Sequence, residues 1–140
     1  DFDDSTGQVT MLPQEMTRVL LNLIGNGFYA TQKRQEAGTD PSYRPTLSVF
    51  TRNRGSSVEI RIRDNGTGIP DKICDKIFNP FFTTKPTGEG TGLGLSLSHE
   101  IVARQHGGRL DVATEVGKFT EFTISLPRGT GAATPKETAQ

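Results

Sequence analysis

The 140-residue chain has a single cysteine, no net charge and no long apolar run, and each shortage removes a class of protein. Cys74 alone cannot form an internal disulfide, and no basic start followed by an apolar run marks a secretory signal, so a reducing, cytoplasmic setting is expected. Sixteen Lys and Arg against sixteen Asp and Glu leave nothing to draw the whole surface to nucleic acid or a membrane, and any anion site must be local. The longest apolar stretch, Val19 to Ile24, is broken by Asn22 and falls far short of the roughly 20 residues that cross a bilayer. The piece reads as soluble, whether or not a parent chain is membrane-anchored. A chain of this size buries one continuous core, expected over residues 1–127.

Periodicity divides that core into elements. Gln8 to Leu12 has the makings of a short edge strand, and Pro13 suits the first turn of a helix running to about Ala37. Met16, Val19, Leu20, Leu23, Ile24 and Gly27 give that helix one buried stripe, and Gly38 stops it. Thr46 to Asn53 and Ser57 to Asp64 read as a hairpin with one wet face, since Val58, Ile60 and Ile62 alternate with Glu59, Arg61 and Arg63. A short helix from Pro70 to about Ile77 follows, then an irregular stretch rich in Gly, Pro and Thr from Asn79 to Gly92. A third helix starts near Gly92 and ends before Gly107, with Leu93, Leu97 and Ile101 spaced four apart along it. Arg109 to Thr114 and Phe119 to Leu126 are the last strands, and residues 128–140 lack periodicity, as in a disordered tail. The cheapest arrangement of these elements is a two-layer α/β sandwich with helices on one face of an antiparallel or mixed sheet.

Four polar constellations interrupt the pattern. Asn22, Asn26 and Tyr29 lie at i, i+4 and i+7, a polar stripe opposite the apolar one, although any surface helix also carries such residues. Asp64-Asn65-Gly66-Thr67-Gly68-Ile69-Pro70 sits at a strand end. There a carboxylate can accept from the amine of adenine, whereas guanine would present an oxygen; the plain alternative is a turn. Gly88-Glu89-Gly90-Thr91-Gly92-Leu93-Gly94-Leu95 opens the third helix, where backbone N–H groups and the helix dipole attract phosphate. It lacks the Gly-Lys-Ser/Thr ending of a P-loop, and a linker rarely runs into an amphipathic helix in this way. Between the glycine segments, Ile77-Phe78-Asn79-Pro80-Phe81-Phe82-Thr83-Thr84-Lys85-Pro86 reads as a lid anchored by phenylalanines, with Thr84 and Lys85 swinging over the ligand.

In this order the pieces resemble the catalytic domain of sensor histidine kinases, in the superfamily of gyrase-type and Hsp90-type ATPases and MutL. Asn22 to Asn26 looks like the N box, Asp64 to Gly68 the first glycine box, Phe78 to Phe82 the F box and Gly90 to Gly94 the second glycine box. The resemblance covers roughly Gln8 to Pro127 and implies the Bergerat ATP-binding fold. It also implies that ATP is held by Asp64, Gly66, Gly68, Ile69, Phe78, Thr84, Lys85, Gly90, Thr91, Gly92, Leu93, Gly94 and Leu95. By the same likeness Asn26, assisted by Asn22, holds Mg²⁺, and Asn22, Asn26 and Lys85 serve the phosphoryl transfer. Gyrase-type ATPases typically carry a glutamate where this chain has Asn22, so transfer is expected over hydrolysis. Many family members carry a basic and an aromatic residue where this chain has Tyr29 and Ala30, so Lys85 is expected to make the main phosphate contact, with Arg34 or Arg44 as substitutes. The acceptor would be a histidine on a separate dimerisation hairpin of a longer parent kinase, which would in turn serve a response regulator. His99 and His106 read as structural or exposed. A serine kinase of the anti-sigma-factor type and a nucleotide-sensing module without transfer activity are the competing readings.

Overall fold

Pro13 starts helix α1 (Pro13–Ala37) in the computed structural model, which describes residues 13–38, 40–80, 82 and 94–127. The expected strand at Gln8–Leu12, the second glycine segment before Gly94 and the tail at 128–140 lie outside the described residues. Met16, Val19 and Leu23 are fully buried on one side of α1, with Leu20 and Ile24 flanking them, as the three-and-four spacing predicts. Gly38 ends the helix at φ 63°, in the left-handed region that glycine enters without strain.

Strands β1 (Leu47–Asn53) and β2 (Ser57–Asp64) form the expected hairpin. Helix α2 keeps only Asp71–Cys74 of the segment expected to reach Ile77. Beyond Cys74 the chain makes single turns, closed by the Lys76 N–H on the Ile73 carbonyl and the Asn79 N–H on the Lys76 carbonyl. These turns let Ile77 drop into the core where α2 itself buries nothing. Helix α3 (Gly94–Glu100) runs into a π-helical stretch (Ile101–Gln105), and β3 (Arg109–Glu115) and β4 (Phe119–Pro127) close the sheet.

The sheet order is β1-β2-β4-β3, and every pairing among the described residues is antiparallel. Register places Ile62 opposite Phe122, Ile60 opposite Ile124 and Val58 opposite Leu126, while Leu110 meets Ile124 from the other side. With a side-chain period of two, this puts one apolar face under the helices. The other face stays wet and carries the Arg61–Glu59 and Arg63–Glu121 ion pairs, at 3.1 and 3.7 Å. The result is the expected two-layer sandwich.

Burial along α3 does not follow that spacing of four. Leu97 is 41% exposed, while Ser98, Ile101 and Val102 face the core. At 3.6 residues per turn a spacing of four drifts about 40° per step, and the π-helical stretch that begins at Ile101 shifts the phase again, so Leu97 and Ile101 differ in burial. Leu93 itself lies outside the described residues. We expect Ile101→Ala, at a site 2% exposed, to cost about 2–5 kcal/mol in urea denaturation, and Leu97→Ala less than about 1 kcal/mol. Equal losses would mean that the helix is turned differently.

Candidate functional site

Asp64 ends β2 with its side chain turned beneath α1, and the residue is only 5% exposed. Its Oδ1 accepts the Gly66 N–H at 2.9 Å. Its Oδ2 lies beside Gly27 of α1 and has no hydrogen-bond partner among the described residues. Burial pushes the carboxyl from its ordinary 3.8 up to about 6, and the Gly66 bond only partly opposes that rise. A buried acceptor with an unpaired oxygen is the arrangement that a ligand amine satisfies.

The segment after Asp64 is braced from three sides. Gly66 presses on α1 so closely that a Cβ there would stand 2.6 Å from the Ala30 Cβ, which accounts for small residues at both positions. Gly68, at φ 76°, lies against the β3–β4 turn, and a Cβ would meet the Glu115 carbonyl oxygen at 2.5 Å. The Ile69 N–H donates to Thr114 Oγ1 at 2.9 Å, and the Gly117 N–H donates to the Thr67 carbonyl at 2.8 Å. Gly68 and Ile69 are thus fixed by β3 and its turn. Arg34 spans the same segment: Nη1 donates to the Asn65 carbonyl at 2.9 Å, while the guanidinium covers the Tyr43 ring at 4.5 Å. Arg44 donates to the Tyr43 carbonyl at 3.1 Å. Both arginines proposed as substitute phosphate contacts are therefore engaged with loop carbonyls. Arg34 lies two helical turns beyond Asn26, at the Asp64 end of the site.

At the other end of the cleft, Asn22 meets the start of α3. Its Nδ2 donates to Ser98 Oγ at 2.9 Å, and its amide lies directly over Gly94, where a Cβ would overlap Oδ1. The Asn26 side chain, one turn along, makes no hydrogen bond to any described residue, and Asn26 is half-buried. Leu95 and Phe78 pack against the core, and the Phe78 ring lies 5.2 Å from the His99 ring at the root of the expected lid. Phe82 also packs there, while Phe81, Thr84, Lys85, Gly90, Thr91 and Gly92 lie outside the described residues. His106 is structural, its Nδ1 at 2.9 Å from the Ile101 carbonyl.

Helix α1 therefore acts as a ruler. From Asn22 at the α3 start to Ala30 at Gly66 is about 12 Å of helix, with Asn26 and the Asp64 contact at Gly27 between them. A buried carboxylate with one oxygen unpaired among the described residues marks one end and a glycine-opened helix start the other. Sequence reasoning missed Ser98, Thr114 and Tyr43. Ser98 betrays itself only once the phase of α3 is known, and the other two act through contacts distant in sequence.

A family model described as histidine kinase-, DNA gyrase B- and HSP90-like ATPase matches residues 11–130. The sensor histidine kinase ZraS of Escherichia coli is 39% identical over 125 residues, covering 89% of this chain and 24% of ZraS. The sensor kinase CckA of Brucella abortus is 54% identical over 71 residues, 51% of this chain and 7% of CckA. Among solved structures, the nucleotide-free catalytic domain of the histidine kinase ThkA superposes with a TM-score of 0.73 at 27% identity, covering 91% of this chain and 76% of that one. The chain thus spans about a quarter of the length of ZraS.

Because Asp64 takes up its proton more readily when folded, its burial favours the folded state below about pH 4, and that contribution is lost as pH rises through about 6. The rise from 3.8 to about 6 corresponds to roughly 3 kcal/mol. Asp64→Asn keeps the acceptor for Gly66 but does not titrate. Its stability relative to the unsubstituted, ligand-free chain should therefore increase by about that amount between about pH 4 and pH 7. A pH-independent difference in chemical denaturation would contradict the buried setting of the carboxylate.

Proposed function

The chain belongs to the histidine kinase-, DNA gyrase B- and HSP90-like ATPase family, and from that premise we propose that it binds Mg-ATP and passes the terminal phosphate to a histidine on a separate phosphoacceptor domain of a sensor kinase. The observation that carries this reading is the spacing along α1: Asp64 at one end for the adenine amine, the start of α3 at the other for phosphates, and Asn26 between them with its amide uncommitted. Gly66 and Gly68 shape the base end of this site, and Gly94 its phosphate end. Lys85 and Thr84 would close over the nucleotide.

The residues present suit a magnesium ion. Among the described residues no three His, Cys, Asp or Glu side chains cluster, so a metal here would draw on amide and phosphate oxygens, the donor set Mg²⁺ accepts. Asn26 and Asn22 would hold it, and when bound it neutralises charge on the phosphate oxygens. An open groove reaches Asn22 between α1 and α3, lined by Gln14, Thr17, Arg18, Leu21 and Leu97, and none of these is an acid. Water in that groove has no carboxylate among the described residues to activate it, which favours transfer to an incoming acceptor over hydrolysis. On this reading the acceptor domain belongs to the parent kinase, and a response regulator is its downstream partner.

Asp64→Ala should weaken ATP binding by about 1.5–3 kcal/mol, roughly ten- to hundredfold, measured by calorimetry; an unchanged affinity removes Asp64 from the adenine site. Asn26→Ala should leave part of the nucleotide affinity while abolishing its dependence on Mg²⁺. Magnesium-dependent transfer persisting in that variant would reassign the metal. The decisive assay mixes labelled ATP, Mg²⁺ and this chain with a separate histidine-bearing dimerisation hairpin. Acid-labile label on the hairpin is expected, whereas acid-stable label on serine would replace this reading with that of a serine kinase.

A further inference from the structure

Ser98 is a hydroxyl set in the core face of α3, 1% exposed and followed one turn later by the buried Ile101 and Val102. A hydroxyl at such depth needs a hydrogen-bond partner, because desolvating it without one is unfavourable. Its recorded partner is Asn22, 76 residues away in the chain, whose Nδ2 donates to Oγ at 2.9 Å. One turn before Ser98, Gly94 leaves the space that the Asn22 amide occupies, since a Cβ there would stand 2.7 Å from Nδ2 and closer still to Oδ1. The amide is thereby clamped between the α3 backbone at Gly94 and the hydroxyl at Ser98. Alanine at position 98 would serve packing alone. What serine adds is a fixed amide, with Nδ2 engaged and Oδ1 over the first residue of α3, at the mouth of the open groove.

We infer that Ser98 is a positioning residue, which holds the Asn22 side chain so that its oxygen faces the place where phosphates and their cation meet the start of α3. The inference rests on the reading of Asn22 as a metal-facing residue. Ser98 itself touches no ligand and acts through Asn22. An amide has one oxygen for a cation and one NH₂ group that repels it, so a freely turning Asn22 presents the wrong end for part of the time. Outer partners that orient a ligating side chain characteristically change metal affinity or activity by roughly ten- to hundredfold.

The test uses Ser98→Ala in the 140-residue chain, alone and combined with Asn22→Ala. The first readout needs no ligand. The side-chain NH₂ resonance of Asn22, identified by its absence in Asn22→Ala, should show slowed hydrogen exchange that quickens at least about tenfold in Ser98→Ala. Unchanged exchange overturns the clamp. The second readout is ATP affinity with and without Mg²⁺. Ser98→Ala should reduce the enhancement by Mg²⁺ roughly tenfold or more while leaving metal-free affinity within about twofold, and it should add nothing once Asn22 is already alanine. A loss of the same size in both backgrounds, or a fall in metal-free affinity alone, marks a merely structural serine and overturns the proposal. Neither readout depends on a phosphoacceptor, so failure of transfer to a histidine would count against the proposed function and leave the clamp to be judged on its own.

Discussion

Everything in this fold depends on how closely α1 can approach three other segments at once. The helix must bury Met16, Val19 and Leu23 in the shared core, and along a neighbouring line it must admit the chain at Gly94, Asp64 and Gly66. Side chains of ordinary size would hold these segments several ångströms apart. Glycine at 27, 66 and 94, with alanine at 30, removes that spacing, so backbone lies against helix and the two ends of the cleft are set by the helix rise itself. A rigid element then measures the ligand, which is how a site acquires precision from packing.

The same closeness accounts for the state of Asp64. A carboxylate wedged under a helix loses most of its water, and the single N–H from Gly66 is too little to replace it, so its proton affinity rises. The core offsets this cost. Each fully buried aliphatic side chain of the core contributes about 1.5–3 kcal/mol, and Ile124 and Leu126 on the sheet and Val102 on the helical side are among several placed there. The loop that follows Asp64 is held by bonds within the protein, from the Ile69 N–H to Thr114 and from Arg34 to the Asn65 carbonyl. Asn65 is tied further, its Nδ2 donating to the Arg44 carbonyl and its Oδ1 accepting from Thr46 N–H and from Tyr43. Such a loop presents its carboxylate in one orientation and needs little ordering when an amine arrives.

Where periodicity was strong, the sequence was readable. The stripe on α1 and the alternation in β2 and β4 follow from the geometry of a helix and a pleated strand, and the structure has them at the expected boundaries. The end-of-strand position of Asp64 was equally legible, but its burial was not, because that depends on a helix some forty residues earlier. In helix α3 an exposed leucine and a buried serine invert the usual polarity signal. Leu97 borders the groove beside Asn22 and Ser98 answers to Asn22, so the inversion falls where the site intrudes on the helix. The contacts of Arg34 were not legible in the sequence either. A cation on a helix suggests phosphate, but this one is spent on carbonyl groups and the face of Tyr43.

On the function proposed above, the described residues lining the groove beside Asn22 bear on the kind of acceptor it suits, and none of them is an acid. A serine hydroxyl or a water must give up a proton as it attacks, and the described residues lining the groove supply a glutamine, a threonine, an arginine, two leucines and the Asn22 and Ser98 side chains themselves, none of which takes a proton at neutral pH. A neutral imidazole differs, because one ring nitrogen carries a free lone pair and can attack phosphorus before any proton leaves. The proton on the other nitrogen can then pass to solvent or to a group beside the acceptor. The proposed transfer to a nitrogen nucleophile therefore asks of this groove orientation and electrostatic support rather than a base. Asparagine at position 22, clamped by Ser98, fits that division of labour: it can orient a cation or an acceptor, and it cannot generate hydroxide.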